Sequence, residues 1–236
     1  MPNVAAFFDV DETIINLKSM LSFQEFFLNL TSPLLIQSMP PPQTSLQHLK
    51  IASKCIDRKT VNREFYKIFR GRSREAMTKL ADPWFKEILQ KMGEDLWIES
   101  TLDLIEKMRQ SAHLLVAVTG SSQDFLSPIL SRLRFDVCIG TTLEVVDGIY
   151  TGEILPPQTI GDGKATAIRS FAAARGIDLS LCFACADHIT DLPMLEAVGE
   201  AAVVAGDRAL ETEAQSRGWA ILPRANLVNA QSQFNA

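Results

Sequence analysis

From residue 98 onward the chain alternates short β-rich runs with helical segments, and this alternation limits the possible folds more than any other feature. LLVAVTG (114–120), FDVCIG (135–140), LCFACA (181–186) and AAVVAG (201–206) are separated by patterns such as DFLSPILSRL (124–133) and KATAIRSFAAARG (164–176). Runs of this kind build a parallel sheet covered by helices on both faces. LEVVDGIYTGEI (143–154), with Asp147-Gly148 between alternating residues, predicts a hairpin. Near the start, VAAFFDV (4–10) reads as a buried strand of the same sheet. Between that strand and residue 98 the texture is helical: SMLSFQEFFLNL (19–30), VNREFYKIF (61–69) and REAMTKLADPWFKEIL (74–89) place apolar residues three and four apart. One stretch there, SMPPPQTS (38–45), is a loop, because its consecutive prolines forbid helix and sheet alike. The expected fold class is α/β: a Rossmann-like, three-layer parallel-sheet core (1–15 and 96–236) with an inserted α-helical cap (16–95).

A chain of 236 residues with 47% hydrophobic content can bury a core of that size. Its net charge of −5 gives no global attraction to nucleic acid or to an anionic membrane. Neither a run of ~20 apolar residues nor the basic and apolar regions of a signal peptide is visible, so a cytoplasmic location is the expectation. Any anion must therefore be held by a local site. Of the cysteines Cys55, Cys138, Cys182 and Cys185, the last two form C-x-x-C. They lie in the apolar run LCFACA, where residues three apart face opposite sides of a strand, so a core role is expected rather than zinc or redox chemistry.

Open α/β sheets bind ligands beyond the carboxyl ends of their strands. Asp9 and Asp11 stand there after the first strand, Thr119, Gly120 and Ser121 after LLVAV, and Asp187 and Asp191 after LCFACA; Lys164 opens a helix in GDGKATAI. Each has an ordinary use when taken alone. Asp11 could cap a helix starting at TIINL, Thr119 could be an end-of-strand hydroxyl, Asp191 could face a helix dipole and Lys164 could be solvated. Independent caps, however, would not assemble into one ionic site. Carboxylates converging on one sheet edge repel unless a cation sits among them, and hard oxygen ligands suit Mg²⁺.

FFDVDET, VAVTGS, Lys164 and ADHITDLPML, taken in this order, resemble the four motifs of the haloacid dehalogenase superfamily of phosphohydrolases. The likeness covers nearly the whole chain, including a helical cap between the first two motifs as in phosphoserine phosphatase-like members. It implies that Asp9 attacks phosphorus to form an aspartyl phosphate, while Asp11 protonates the leaving alcohol and then activates water. Thr119 and Gly120 would bind phosphoryl oxygens, and Lys164 would neutralise their charge. Asp9, Asp187 and the backbone carbonyl of Asp11 would hold Mg²⁺, with Asp191 in support. Departures from the pattern are Glu12, where many relatives have glycine, Thr190 in place of asparagine, and His188 where serine is common; His188 reads as a residue at the start of a helix without a chemical role.

Other functions fit less well. A nicotinamide-dependent dehydrogenase would share the sheet, but GDGKAT lacks the third glycine of its fingerprint. A haloalkanoic acid dehalogenase has no need of Asp11, Asp187 or Asp191. A phosphotransferase or phosphomutase would use the same intermediate and stays open, and a non-catalytic phosphate-binding module has no use for a strand-end acid pair. The expected partner is a small phosphorylated metabolite.

The cap adds a hint about that metabolite. Phosphoserine phosphatases of this family place a glutamate nine residues after the nucleophile to receive the substrate ammonium; here the same offset lands on Lys18. The segment 54–79 holds Lys54, Arg58, Lys59, Arg63, Lys67, Arg70, Arg72, Arg74 and Lys79 against only Asp57, Glu64 and Glu75. Most of these belong to a solvated face. Lys18, with Arg63 or Arg70, is expected to hold a second anionic or hydrogen-bond-accepting group, which makes phosphoserine a poor substrate.

Overall fold

The computed structural model describes residues 4–30, 57–111 and 113–224. Strand β1 (Ala5–Phe8) lies at the centre of a seven-stranded sheet and is fully buried. On one side it pairs in parallel with β2 (Leu114–Ser122), which pairs with β3 (Val137–Val146). On the other it is followed by β5 (Phe183–Ala186), β6 (Glu200–Val204) and β7 (Ala220–Leu222), all parallel. The antiparallel edge is β4 (Ile149–Leu155), and the full order is β4-β3-β2-β1-β5-β6-β7.

Period-two alternation sorts the central side chains into two cores. Ala6 and Phe8 of β1 and Phe183 and Cys185 of β5 join the cluster on one face; Ala5, Phe7, Cys182, Ala184 and Ala186 join the cluster on the other. Cys182 and Cys185 therefore stand on opposite sides of the sheet, and burial pushes both thiols up, as fits packing groups. At the hairpin, Asp147 and Gly148 have φ of 50° and 78°, the paired positive values of a type I′ turn.

The insert supplies α1 (Ser19–Leu30), α2 (Arg58–Tyr66), a 3₁₀ turn (Lys67–Phe69), α3 (Arg74–Thr78) and α4 (Ala81–Met92). The expected single helical pattern over 74–89 is thus two helices. Pro83, in the first turn of α4, has no N–H to continue an earlier helix, and the chain breaks ahead of it. The segments leading into and out of the insert run side by side, with Asn16 N–H bonded to Leu96 O at 2.7 Å and Ile98 N–H to Ile14 O at 3.0 Å. SMPPPQTS, Lys54 and Cys55 lie outside the described residues.

The insert is stitched to the sheet in two ways. Phe23 of α1 stacks on Phe125 at 4.1 Å and meets Trp84 edge-on at 5.5 Å, inside the same apolar cluster as Phe8 of β1. Residues 71–74 pair with the outer edge of the hairpin, where Gly71 N–H bonds Tyr150 O, Tyr150 N–H bonds Arg72 O and Arg74 N–H bonds Gly148 O. That pairing covers part of an edge that would otherwise offer free backbone groups.

The remaining helices cover the sheet: α5 (Glu99–Gln110), α6 (Gln123–Arg132), α7 (Asp162–Arg175), α8 (Leu192–Leu195) and α9 (Arg208–Arg217). Among the described residues no helix is long and apolar enough to cross a membrane.

Candidate active site

The first-motif acids sit just past the buried end of β1. Asp9 extends the ladder by one bond, its N–H to Cys185 O at 2.9 Å. The chain then closes a tight turn in which the N–H groups of Thr13, Ile14 and Ile15 all point to Val10 O. TIINL is not a helix, so Asp11 does not cap one there. Glu12 takes φ of 60°, a conformation that glycine adopts without strain, which gives a physical reason for the glycine of many relatives. Its carboxylate is anchored by Arg224 Nη2 at 2.8 Å and Lys18 Nζ at 3.3 Å.

The other motifs arrive at the same edge. Lys164 lies in the first turn of α7 and is buried, with Nζ 2.6 Å from Asp9 Oδ1 and 2.8 Å from Asp191 Oδ2. Adding a Cβ at Gly163 would bring it 1.7 Å from Gln158 O, so only glycine lets this helix start against that loop. Thr13 Oγ1 donates to Asp187 Oδ1 at 3.2 Å and stands 3.4 Å from Asp9 Oδ2. Thr119, Gly120 and Ser121 end β2, and three donors converge on Gly120 O: Thr141 Oγ1 at 2.7 Å, Asn62 Nδ2 at 3.0 Å and the Tyr66 hydroxyl at 3.4 Å.

Three buried carboxylates, those of Asp9, Asp187 and Asp191, each offer an oxygen within 4.8 Å of the others. Burial, then the neighbouring Asp9 and Asp191, push Asp187 well above the usual carboxylate range. Asp191 is raised by burial in spite of Lys164. Burial alone would depress Lys164, but Asp191 and Asp9 outweigh it and hold the ammonium charged. One ammonium cannot balance three carboxylates, and the donors are all hard oxygens; the residues therefore fit a divalent cation such as Mg²⁺. Burial, aided by Asp9 and opposed by Ser19 and Ser121, pushes Asp11 up to about 6, so that it can carry a proton near neutrality.

These groups form the floor of a cavity of about 130 Å³. Asp9, Asp11, Thr119, Gly120, Lys164 and Asp191 line it, and Asp187 stands beside them in the carboxylate cluster. Lys18 reaches it from the insert. Arg63 and Arg70 do not reach it. Residues 58, 61 and 62 of α2 face the cavity, so Arg63 points aside toward Gln158. Arg70, at the end of the 3₁₀ turn, is drawn to β4 by Thr151 O at 2.8 Å and Glu153 at 2.9 Å. The arginine in the cavity is Arg58, whose Nη1 donates to Thr190 Oγ1 at 3.1 Å and which forms no ion pair among the described residues. Its spacing of four from Asn62 was a helical signal for one shared face. His188 caps the turn 189–191, accepting from Thr190 N–H at 3.1 Å.

Paired carboxylates with a buried lysine and a carboxylate cluster at the strand ends of an α/β sheet have the chemistry that phosphoryl transfer requires. The sequence matches the haloacid dehalogenase-like hydrolase family over residues 6–196, and the chain belongs to that family. A Mycobacterium tuberculosis protein named "Probable phosphatase" is 32% identical, over 98% of this chain and 79% of its own length. A phosphoserine phosphatase of the same organism is 32% identical over 64% of this chain and 48% of its own. In fold, a Bordetella pertussis protein of unknown function superposes with a TM-score of 0.77 at 20% identity, over 94% of this chain and 99% of the other. The chain is a phosphoric monoester hydrolase of this family.

Proposed function

We propose that the protein is a Mg²⁺-dependent phosphatase that hydrolyses a small phosphomonoester through an aspartyl phosphate on Asp9, with residues 16–95 acting as a cap over a core formed by 1–15 and 96–236. The observation that carries this reading is the burial of Asp9 against Lys164 at the floor of a cavity that also presents Asp11 and Thr119. Asp9 supplies the electron pair that attacks phosphorus, and Asp11 gives its proton to the departing alcohol. Thr119 and Gly120 bind the phosphoryl oxygens, and Lys164 offsets their charge. In the second half, Asp11 takes a proton from the water that releases phosphate. Asp9, Asp187 and the Asp11 carbonyl would hold Mg²⁺, with Asp191 in support; the ion supplies charge neutralisation that lets an anionic nucleophile meet an anionic phosphate. The test is hydrolysis of p-nitrophenyl phosphate with Mg²⁺, lost in EDTA and restored by added Mg²⁺. Phosphate release unaffected by added alcohols separates a hydrolase from a transferase, and activity that survives EDTA refutes the metal.

Substrate choice rests on the insert side of the cavity, where Lys18 and Arg58 stand among Met20, Leu21 and Val61. That wall suits a phosphomonoester with a second anionic or hydrogen-bond-accepting group. Lys18 is partly neutralised by Glu12 at 3.3 Å, whereas Arg58 has no carboxylate within ion-pair distance among the described residues and only a longer-range attraction to Asp191, so Arg58 is the stronger anchor. Arg58→Ala should cost about 1.5–3 kcal/mol, roughly ten- to a hundredfold in kcat/KM, on the preferred member of a phosphometabolite panel. Lys18→Ala should cost less, and Arg70→Ala nothing measurable. Equal losses for Arg58→Ala and Arg70→Ala would refute the assignment. Phosphoserine is expected to rank low in the panel because its ammonium meets Lys18.

A further inference from the structure

Asp11 has one tethered oxygen and one that is not. Ser121 Oγ donates to Asp11 Oδ2 at 3.2 Å, and Ser19 Oγ lies 2.7 Å from Ser121 Oγ. Ser19 and Ser121 are both buried, at 2% and 4% exposure. Asp11 Oδ1, by contrast, is buried with no hydrogen-bond partner, on a residue that lines the cavity. An orphaned buried oxygen beside fully tethered neighbours calls for an explanation.

We propose that Ser19 and Ser121 are positioning residues for the general acid: Ser19 holds Ser121, and Ser121 fixes Asp11 Oδ2, so that the carboxyl group keeps the orientation from which it passes its proton to the leaving group. This deepens the phosphatase reading and rests on it. As the Asp9 carboxylate forms its bond to phosphorus, the bond from phosphorus to the leaving oxygen breaks. That bond's electron pair takes the proton from the Asp11 carboxyl group, leaving Asp11 as the carboxylate. Ser19 is the first residue of α1, the helix with which the described part of the insert begins, and Ser121 belongs to the phosphate-binding end of β2, where its own N–H reaches Thr119 Oγ1 at 3.0 Å. The two hydroxyls that fix the acid thus come from different parts of the fold, one from α1 of the insert and one from β2 of the sheet.

The distinguishing feature of a misaimed acid is its dependence on the leaving group. Phenyl phosphate and p-nitrophenyl phosphate have nearly the same shape, but phenolate is much the more basic leaving group and needs the proton more. General acid catalysis contributes ~10²–10⁴-fold, so a partial loss of aim should be readable. We expect Ser19→Ala and Ser121→Ala each to raise the ratio of kcat/KM for p-nitrophenyl over phenyl phosphate by about tenfold. kcat/KM is the quantity to compare, because it reports formation of the aspartyl phosphate and not its hydrolysis. A ratio within twofold of wild type in both variants overturns the proposal, even if both esters are turned over more slowly, since a merely structural role lowers both alike. A wild-type protein that hydrolyses neither ester overturns the phosphatase reading and this inference with it.

Discussion

Asp9→Asn is expected to lower turnover of any phosphomonoester by at least about 10⁴-fold while leaving the protein folded and, in metal-free buffer, no less stable than wild type. The amide has the shape of the carboxylate but no electron pair able to form the phosphoenzyme. The backbone bond that fixes the residue, from its N–H to Cys185 O, is untouched by the change. Lys164 keeps Asp191 at 2.8 Å. The substitution also removes one negative charge from a buried cluster in which Asp9 is the largest charge acting to raise the proton affinity of Asp187. Relief of that repulsion offsets the lost pairing with Lys164. The measurements are single-turnover kinetics, the alkali- and hydroxylamine-labile phosphoprotein trapped by rapid acid quench, and thermal unfolding in EDTA. Wild-type turnover by the variant would sink the covalent mechanism, and a much lower melting temperature would show that Asp9 holds the fold together.

Much of this arrangement could be read from the residues because strands in a doubly covered sheet need apolar side chains on both faces. VAAFFDV, LLVAVTG, FDVCIG, LCFACA and AAVVAG all carry β1, β2, β3, β5 or β6. What escaped was what period and composition do not encode. β7 is three residues long, with two of them exposed, and gives no pattern to detect. FDVCIG and the first arm of the hairpin are one continuous strand, β3, parallel to β2 in its first half and antiparallel to β4 in its second. A change of partner in mid-strand leaves no mark on side-chain alternation.

The site divides in the same way. Asp9, Asp11, Thr119, Lys164, Asp187 and Asp191 were legible because each lies at the end of a strand or the start of a helix, and topology alone carries those ends to one edge. The insert residues were not, since which arginine faces inward depends on the rotation of α2 and on the path of the chain after it. Arg58 and Arg63 lie on the same helix, yet only Arg58 reaches the cavity. The Glu12 to Arg224 pair joins residues 212 apart in sequence, and the Ser19 to Ser121 contact joins residues 102 apart. No local pattern announces either.

Lys164→Met should carry the second largest effect, on both stability and activity. Lys164 is 3% exposed and is the one cation in contact with Asp9 and Asp191 among the described residues. Methionine fills the space and leaves the buried carboxylates uncompensated. Removing one partner of a buried ion pair costs about 3–5 kcal/mol, which for a chain of this size lowers the melting temperature by roughly 10 °C in EDTA. The loss should depend on pH with a definite sign. Asp187 and Asp191 already bind protons more tightly folded than unfolded, through burial and mutual repulsion, and loss of the lysine strengthens that preference. Between the ordinary carboxylate value and the raised folded one, the folded protein then holds more protons than the unfolded chain, so stability falls as pH rises through that window. The deficit of the variant is therefore largest at neutral to alkaline pH and shrinks toward acid, where the carboxylates are protonated in both states. Mg²⁺ should stabilise the variant more than the wild type, because the ion then supplies all of the positive charge that the cluster shares with the lysine at present. Turnover should still fall by about 10²–10³-fold with Mg²⁺ bound, since the ion does not replace the charge that Lys164 is proposed to set against the phosphoryl oxygens. A metal-free melting temperature equal to wild type at every pH, or an unchanged Mg²⁺ shift, would show that Lys164 does not balance the carboxylate cluster.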